Sequence, residues 1–376
     1  MLLDQFTTAD DSPVTSPRTC EPGPGTLTFV QLDGTFAISG GKLAFTAQTT
    51  PTNGDLGLYG AGVGREAGRV LLCSIDHTGI FFFAWAVTAS CNFDGFGNME
   101  HGLILYGNDI YSAEAGANVR IVAADVAGAQ VYAIVLRQSG AFILRDSTLL
   151  WVSNTKTVET VYPSLSNYNA VGTADDFRIP QQLWTPTPLV SDSFNRADST
   201  DLGVTDGLGA EETGGSGVAW VKYGLATTSI ASNKLSIIAS SGSGAKAECG
   251  SADIVASVTL TTGTGGYSGM AVRHTDATHE IEVLLANTDN EVQIWELSET
   301  PTKRGGTAVT IADSTSYTLL VVCDGATVNA YMNGGSYTTG TVTQTTATTH
   351  ALYSESCTTL FDSVAIWNRT QTPPNF

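Results

Sequence analysis

Two stretches of this chain repeat one another, and that constrains its fold more than any other feature. From Asp192 the residues read Asp-Ser-Phe194-Asn-Arg196-Ala-Asp198, and from Asp4 they read Asp-Gln-Phe6-Thr-Thr-Ala-Asp10. Ile38-Ser-Gly-Gly-Lys42-Leu43 matches Ile230-Ala-Ser-Asn-Lys234-Leu235. Val131-Tyr132-Ala-Ile134-Val135 matches Ser316-Tyr317-Thr-Leu319-Leu320, and Asp175-Asp-Phe177-Arg-Ile179 matches Asp362-Ser-Val364-Ala-Ile366. These four matches keep one order at nearly constant spacing, as two diverged copies of one domain would. The period is too long for a solenoid, whose units run to roughly 20–50 residues. We therefore expect a first domain over residues 1–187 and a second over 188–376. The Pro-rich stretch Pro180-Gln-Gln-Leu-Trp184-Thr-Pro186-Thr-Pro188 joins them as a stiff connector.

Composition narrows the class. The 376 residues include 40 Gly, and the long Thr/Ser/Val-rich runs favour strands and turns. Only 14% of residues are charged, yet the net charge is −19. No basic patch is available to neutralise phosphates, which argues against nucleic acid and anionic membrane surfaces as partners. Neutral glycans, cations or other proteins are the expected partners. Met1-Leu-Leu-Asp4 reaches a carboxylate at once, so a signal peptide is not expected there. The most apolar run, Ile80–Val87, is too short to span a bilayer. The six Cys (Cys20, Cys73, Cys91, Cys249, Cys323, Cys357) show no spacing common to both copies, so isolated buried thiols are expected.

The local pattern is that of strands. Ile254–Leu260, Gly269–His274, Glu280–Leu285 and Glu291–Leu297 alternate polar and apolar residues and are separated by turns such as Asn287-Thr-Asp-Asn290. Tyr317–Val322 and Val328–Tyr331 flank Asp324-Gly325, and the first copy has an analogous pair around Ser139-Gly140. The fold class expected is all-β: two tandem antiparallel β-sandwich domains.

The stretch Asp192 to Gly203, the later Trp220, the Ile230–Leu235 segment and the closing Phe361-Asp362-Ser-Val364 together resemble the concanavalin A-like lectin/glucanase jelly roll. The resemblance is to the laminin-G-like version found in bacteriophage minor tail and virion-surface proteins. It covers nearly all of the second copy. In the first, Thr7-Thr8 replaces Asn-Arg, and Cys20-Glu-Pro-Gly-Pro-Gly25 is inserted. The resemblance implies a structural Ca2+ in each domain. The terminal strands would bring Asp4 toward Asp175 and Asp192 toward Asp362, giving the hard oxygen ligands that Ca2+ takes. It also implies a non-enzymatic virion structural protein, made in the host cytoplasm and displayed on the tail or capsid surface. Such a protein would be oligomeric in its assembly, would contact other virion proteins, and could give weak host-glycan adhesion amplified by avidity. The alternative is a free carbohydrate-binding, lectin-like module or an inactive glycosidase relative.

The chemistry-bearing residues are few. Active glucanases of this fold carry three carboxylates in the pattern Glu-x-Asp-x-x-Glu, and the nearest text here is His279-Glu280-Ile-Glu282. Alternation puts Glu280 and Glu282 on one face, but the third member is absent, so catalysis is not expected. Gly60-Ala-Gly-Val-Gly64-Arg-Glu-Ala-Gly68 leads into a strand, whereas a phosphate loop needs a helix. Among the aromatics, Trp151, Trp184, Trp220, Trp295, Trp367, Tyr267 and Tyr331 could stack on sugars if exposed on a concave face. We expect Trp220, Trp295 and Trp367 in the core. The turns His274-Thr-Asp276 and Asn287-Thr-Asp289 could carry polar ligand contacts. The insertion around Phe81–Phe96 has no match in the second copy. Phe81, Phe82, Phe83, Phe93 and Phe96 are expected to form an exposed apolar contact surface for an assembly partner.

Overall fold

The computed structural model describes residues 2–4, 18–19, 26–31, 36–39, 41–45, 56–77, 79–89, 93, 97–123, 128–168, 172–208 and 214–374. No helix occurs among them, and none is therefore long and apolar enough to cross a membrane. The chain divides into one unit of Met1–Thr185 with Thr372–Phe376, and a second of Pro186–Gln371.

In unit 2, one sheet runs in the order Thr227–Ala231, Lys234–Ala239, Cys357–Asn368, Ile254–Thr261, Ser316–Asp324, Thr327–Met332 and Ser336–Thr341. Pro188–Asp192 also pairs with Cys357–Asn368, so the first and last strands of the unit lie side by side. The facing sheet runs Val221–Tyr223, Ser243–Glu248, Thr349–Glu355, Tyr267–Asp276, His279–Ala286, Glu291–Leu297 and Thr302–Ala308. All these pairings are antiparallel.

Period-two alternation builds the core. Ile281, Val283 and Leu285 project inward with Met270, Val272, Val292, Ile294 and Leu352 to meet Leu235, Val258, Leu319 and Phe361 of the opposite sheet. Residues one step out of phase face away from it. Tight turns close the hairpins where the backbone needs positive φ: Asn333 at 49° and Gly334 at 68° join Thr327–Met332 to Ser336–Thr341.

Unit 1 has the same strand order. One sheet runs Phe36–Ser39, Lys42–Phe45, Gly172–Ile179, Val70–His77, Gln130–Leu136, Ala141–Arg145 and Thr148–Ser153, with Leu2–Asp4 on Gly172–Ile179. The other runs Arg18–Thr19, Thr26–Gln31, Leu56–Gly60, Thr160–Tyr168, Ile80–Ala86, Met99–Tyr106, Asp109–Glu114 and Ala117–Val122. The sequence matches occupy equivalent places: Ile38 pairs with Leu43 across its hairpin, as Ile230 pairs with Leu235. Edge-to-face contacts of Phe45 with Phe81 (5.0 Å) and Phe83 with Phe177 (6.4 Å) join the two layers.

The insertion of unit 1 is not the exposed apolar surface expected from the sequence. Phe81, Phe82, Phe83 and Phe93 are all buried, at 0–2% exposure. Phe81 and Phe83 face the sandwich interior, and Phe82 lies with Ala84, Ala86 and Ile104 on the opposite side of the sheet. There Phe93 folds back onto Phe82 at 5.8 Å and covers that face. Ten or more residues between strands supply enough chain to lie over a sheet, so apolar side chains in them find cover inside their own unit. Phe96 lies outside the described residues.

Candidate functional site

Among the described residues, the corresponding face of unit 2 has no such cover. Its strands Tyr267–Asp276 and His279–Ala286 join through the short turn around Ala277 and Thr278, and their outer face forms an open cleft of about 410 Å3. Alternation supplies its lining from four strands: Tyr267; Glu280, Glu282 and Leu284; Gln293 and Trp295; Tyr353 and Glu355. Trp295 is thus on the cleft wall, half-buried, and not in the core as the sequence suggested. Trp220 and Trp367 are core residues as expected, and Trp151 and Tyr331 are also buried.

The aromatic walls are held in place. Gln293 Oε1 accepts the Trp295 indole hydrogen at 2.7 Å, and the Gln293 amide donates to Asp289 at 2.8 Å and Glu291 at 2.9 Å. Asp289 also accepts from the Tyr267 hydroxyl at 3.4 Å. One turn carboxylate therefore orients two rings. Fixing a ring before a ligand arrives reduces the entropy lost on binding.

The floor is a chain of acids. Lys246 Nζ approaches His274 Nε2 at 3.1 Å, and an ammonium can only donate, so Nε2 accepts and Nδ1 carries the proton. Nδ1 then donates to Glu280 at 2.6 Å. His274 is buried at a strand end rather than displayed on a turn, and Asn287 is likewise buried, donating to Gly263 O at 3.2 Å. Glu282 lies within hydrogen-bonding reach of Glu280 and of the Tyr353 hydroxyl. Tyr353 has one proton to give, and gives it to Glu355 at 2.7 Å. Burial, with the charges of Glu280 and Glu355 alongside, pushes Glu282 up to about 8. A carboxyl at that value is protonated at neutral pH and can share its hydrogen with Glu280.

The expected calcium ligands have other partners. Strand pairing sets Asp192 opposite Val364, not Asp362. Asp192 is fully buried and accepts from Arg196 at 2.7 and 3.0 Å, from Trp220 Nε1 at 2.6 Å and from the Phe194 amide at 2.7 Å. Asp362 pairs with Lys234 at 2.6 Å. A Ca2+ ion would have to displace both cations, so this pair does not fit the metal. In unit 1, Asp4 aligns with Phe177 by backbone register, and Asp175 Oδ1 accepts from the Asp176 amide at 2.8 Å. Among the described residues no cluster of three or more His, Cys, Asp or Glu side chains could hold a metal ion. Cys73, Cys249, Cys323 and Cys357 are free buried thiols; Cys20 and Cys91 lie outside the described residues.

No family model matches the chain, and no curated protein matches it. Among solved structures, a GH43 protein BlXynB mutant from Bacillus licheniformis aligns at 11% identity over 96% of this chain and 86% of its own, with a TM-score of 0.36. Domain 4 of AbnA, a GH43 extracellular arabinanase from Geobacillus stearothermophilus in complex with arabinotriose, aligns at 17% identity over 50% of this chain and 96% of its own, with a TM-score of 0.34. Domains LG4-5 of the mouse laminin alpha1 chain align at 10% identity over 96% of this chain and all of their own length, with a TM-score of 0.23. Likeness at this level carries no argument about ligand or activity.

Proposed function

We propose that unit 2 is a non-enzymatic glycan-binding module, with the cleft around Trp295 as its site. The observation that carries this reading is a half-buried Trp295 held by Gln293 on the wall of an open, partly polar cleft. A flat ring excludes water from the CH face of a pyranose, while nearby carboxyl and amide groups take up its hydroxyls. The missing third carboxylate of the Glu-x-Asp-x-x-Glu pattern at Glu280-Ile-Glu282 supports binding over hydrolysis. On the same reading, unit 1, whose equivalent face is filled by Phe93, has a structural role.

Display on a bacteriophage virion is the wider setting we propose, and it rests on the resemblance carried by Asp192 to Gly203. Immunogold labelling of phage particles with antibody to this protein tests that setting: regular labelling of tails or heads supports it, and unlabelled particles contradict it. The glycan reading has its own test, a glycan array probed with the full chain and with Trp295→Ala. Binding to a defined set of glycans that the variant loses is the expected result. An array that neither protein binds would overturn the reading.

A further inference from the structure

Resting on the glycan-binding reading, we propose that the cleft of unit 2 selects a cationic sugar: a pyranose bearing a free primary amine, whose ammonium lies among Glu280, Glu282 and Glu355. Three carboxyl groups line the cleft and no Lys or Arg does. The nearby cations are engaged elsewhere. Lys246 is on His274 at 3.1 Å, Lys303 on Glu291 at 2.5 Å and Arg304 on Glu296 at 2.7 Å.

Glu282 is the informative member. Its side chain is buried, with 7% of the residue exposed, yet it lines the cleft. Among the described residues, no lysine, arginine or backbone amide donates to it. The Tyr353 proton is taken by Glu355, and the His274 proton by Glu280. Glu282 is therefore satisfied only while it keeps a proton to share with Glu280, and once ionised it calls for a ligand cation. A primary ammonium brings a charge and three donor hydrogens, which matches the three carboxyls. Trp295, Tyr267 and Tyr353 line the same cleft, and a cation can lie over an aromatic ring, whose face carries negative quadrupole density. An N-acetylated sugar would offer one N–H and no charge to balance the ionised carboxyls.

The charged and titratable groups facing Glu282 are Glu280 on its own strand, Tyr223 on the strand Val221–Tyr223, and Tyr353 and Glu355 on the strand Thr349–Glu355, with His274 behind Glu280. With Glu282 protonated in the free protein, uptake of an ammonium expels a proton. Binding therefore releases a proton at pH 6, where the sugar amine is already an ammonium, and salt weakens it.

The test is calorimetric titration of the full chain with β-1,4-linked glucosamine tetramer and with its N-acetylated counterpart, on wild type, Glu282→Gln and Trp295→Ala. The expected result is at least tenfold tighter binding of the amino tetramer, with that preference lost in Glu282→Gln and both ligands lost in Trp295→Ala. Repeating the wild-type titration at pH 6 in buffers of different ionisation heat should reveal proton release, a readout that does not depend on how the variants fold. Equal or tighter binding of the acetylated tetramer overturns the cationic preference and leaves the glycan-binding reading standing. Failure of wild type to bind either tetramer, alongside a blank glycan array, overturns both.

Discussion

Arg196 grips Asp192 through both terminal guanidinium nitrogens, at 2.7 and 3.0 Å, across one turn of chain at the entry to unit 2. The same carboxylate takes the indole hydrogen of Trp220 at 2.6 Å and the amide of Phe194 at 2.7 Å. Phe194, held at a φ of 52°, is thereby turned under Arg196 and into the core beside Trp220. The sequence motif is a fastening for the unit's first strand. Its second aspartate, Asp198, accepts from the Ser232 amide at 2.8 Å, tying this segment to the hairpin turn at Ser232 and Asn233.

Replacing Asp192 with Ala leaves Arg196 and the buried Trp220 nitrogen without their acceptor. Loss of one partner from a buried pair costs about 3–5 kcal/mol, and partial solvation of Arg196 places the expected loss near the lower figure. Urea unfolding of the full chain, followed by tryptophan fluorescence, measures it. A change below about 1 kcal/mol would mean that the clasp does not hold the strand.

Glu282 gives stability a pH dependence of definite sign. Its folded value, about 8, lies above the ordinary 4.5, so its contribution is fully present below about 4.5 and is lost as pH rises through about 8. Glu282→Gln should therefore melt at a higher temperature than wild type at pH 9, with the gap closing by pH 5. A parallel pair of melting curves from pH 5 to 9 would contradict this.

His350 acts in the opposite direction. Burial pushes it down to about 4, and it is held neutral by the Arg273 amide on Nδ1 at 3.2 Å and by Ser251 O at 2.8 Å from Nε2. Its contribution is present above pH 6.5 and is lost as pH falls through about 4. His350→Gln should be less stable than wild type at pH 7 and lose less between pH 6.5 and 4. Denaturant midpoints at those values decide it; an unchanged slope would show that other groups govern acid unfolding.

Calcium should leave the protein unchanged through the Asp192–Asp362 pair, because Arg196 and Lys234 occupy those carboxylates. Melting temperature should be the same in millimolar Ca2+ and in chelator for unit 2. A rise that follows Ca2+ concentration and vanishes in Asp192→Asn would reverse this conclusion.

The fold was legible because alternation and turn residues are local. Ile281, Val283 and Leu285 announce one buried face within a few residues, and Asn333-Gly334 announces its own turn. The same alternation put Glu280 and Glu282 together on the other face. It could not say which faces stay uncovered, and on that point Trp295 and Phe93 were misread in opposite directions. Whether a face is open depends on a segment such as the Phe93 insertion folding over it, which period-two patterning does not encode. Register was equally hidden: a shift of two residues separates Val364, which lies opposite Asp192, from Asp362, which pairs with Lys234. Tyr353 and Glu355 reach the cleft from a strand about seventy residues beyond Glu282, and no local pattern joins them.

The central claim is that ligand enters the cleft against Trp295, and its most direct measurement is the indole 15N–1H spectrum of the full chain. The six Trp give separate reporters, assigned by single substitution to Phe. On titration with the glycan selected by the array, the Trp295 indole signal should shift and saturate, with Trp220, Trp367 and Trp85, all buried, left in place. Saturable binding with an unmoved Trp295 signal would contradict the account and put the site elsewhere.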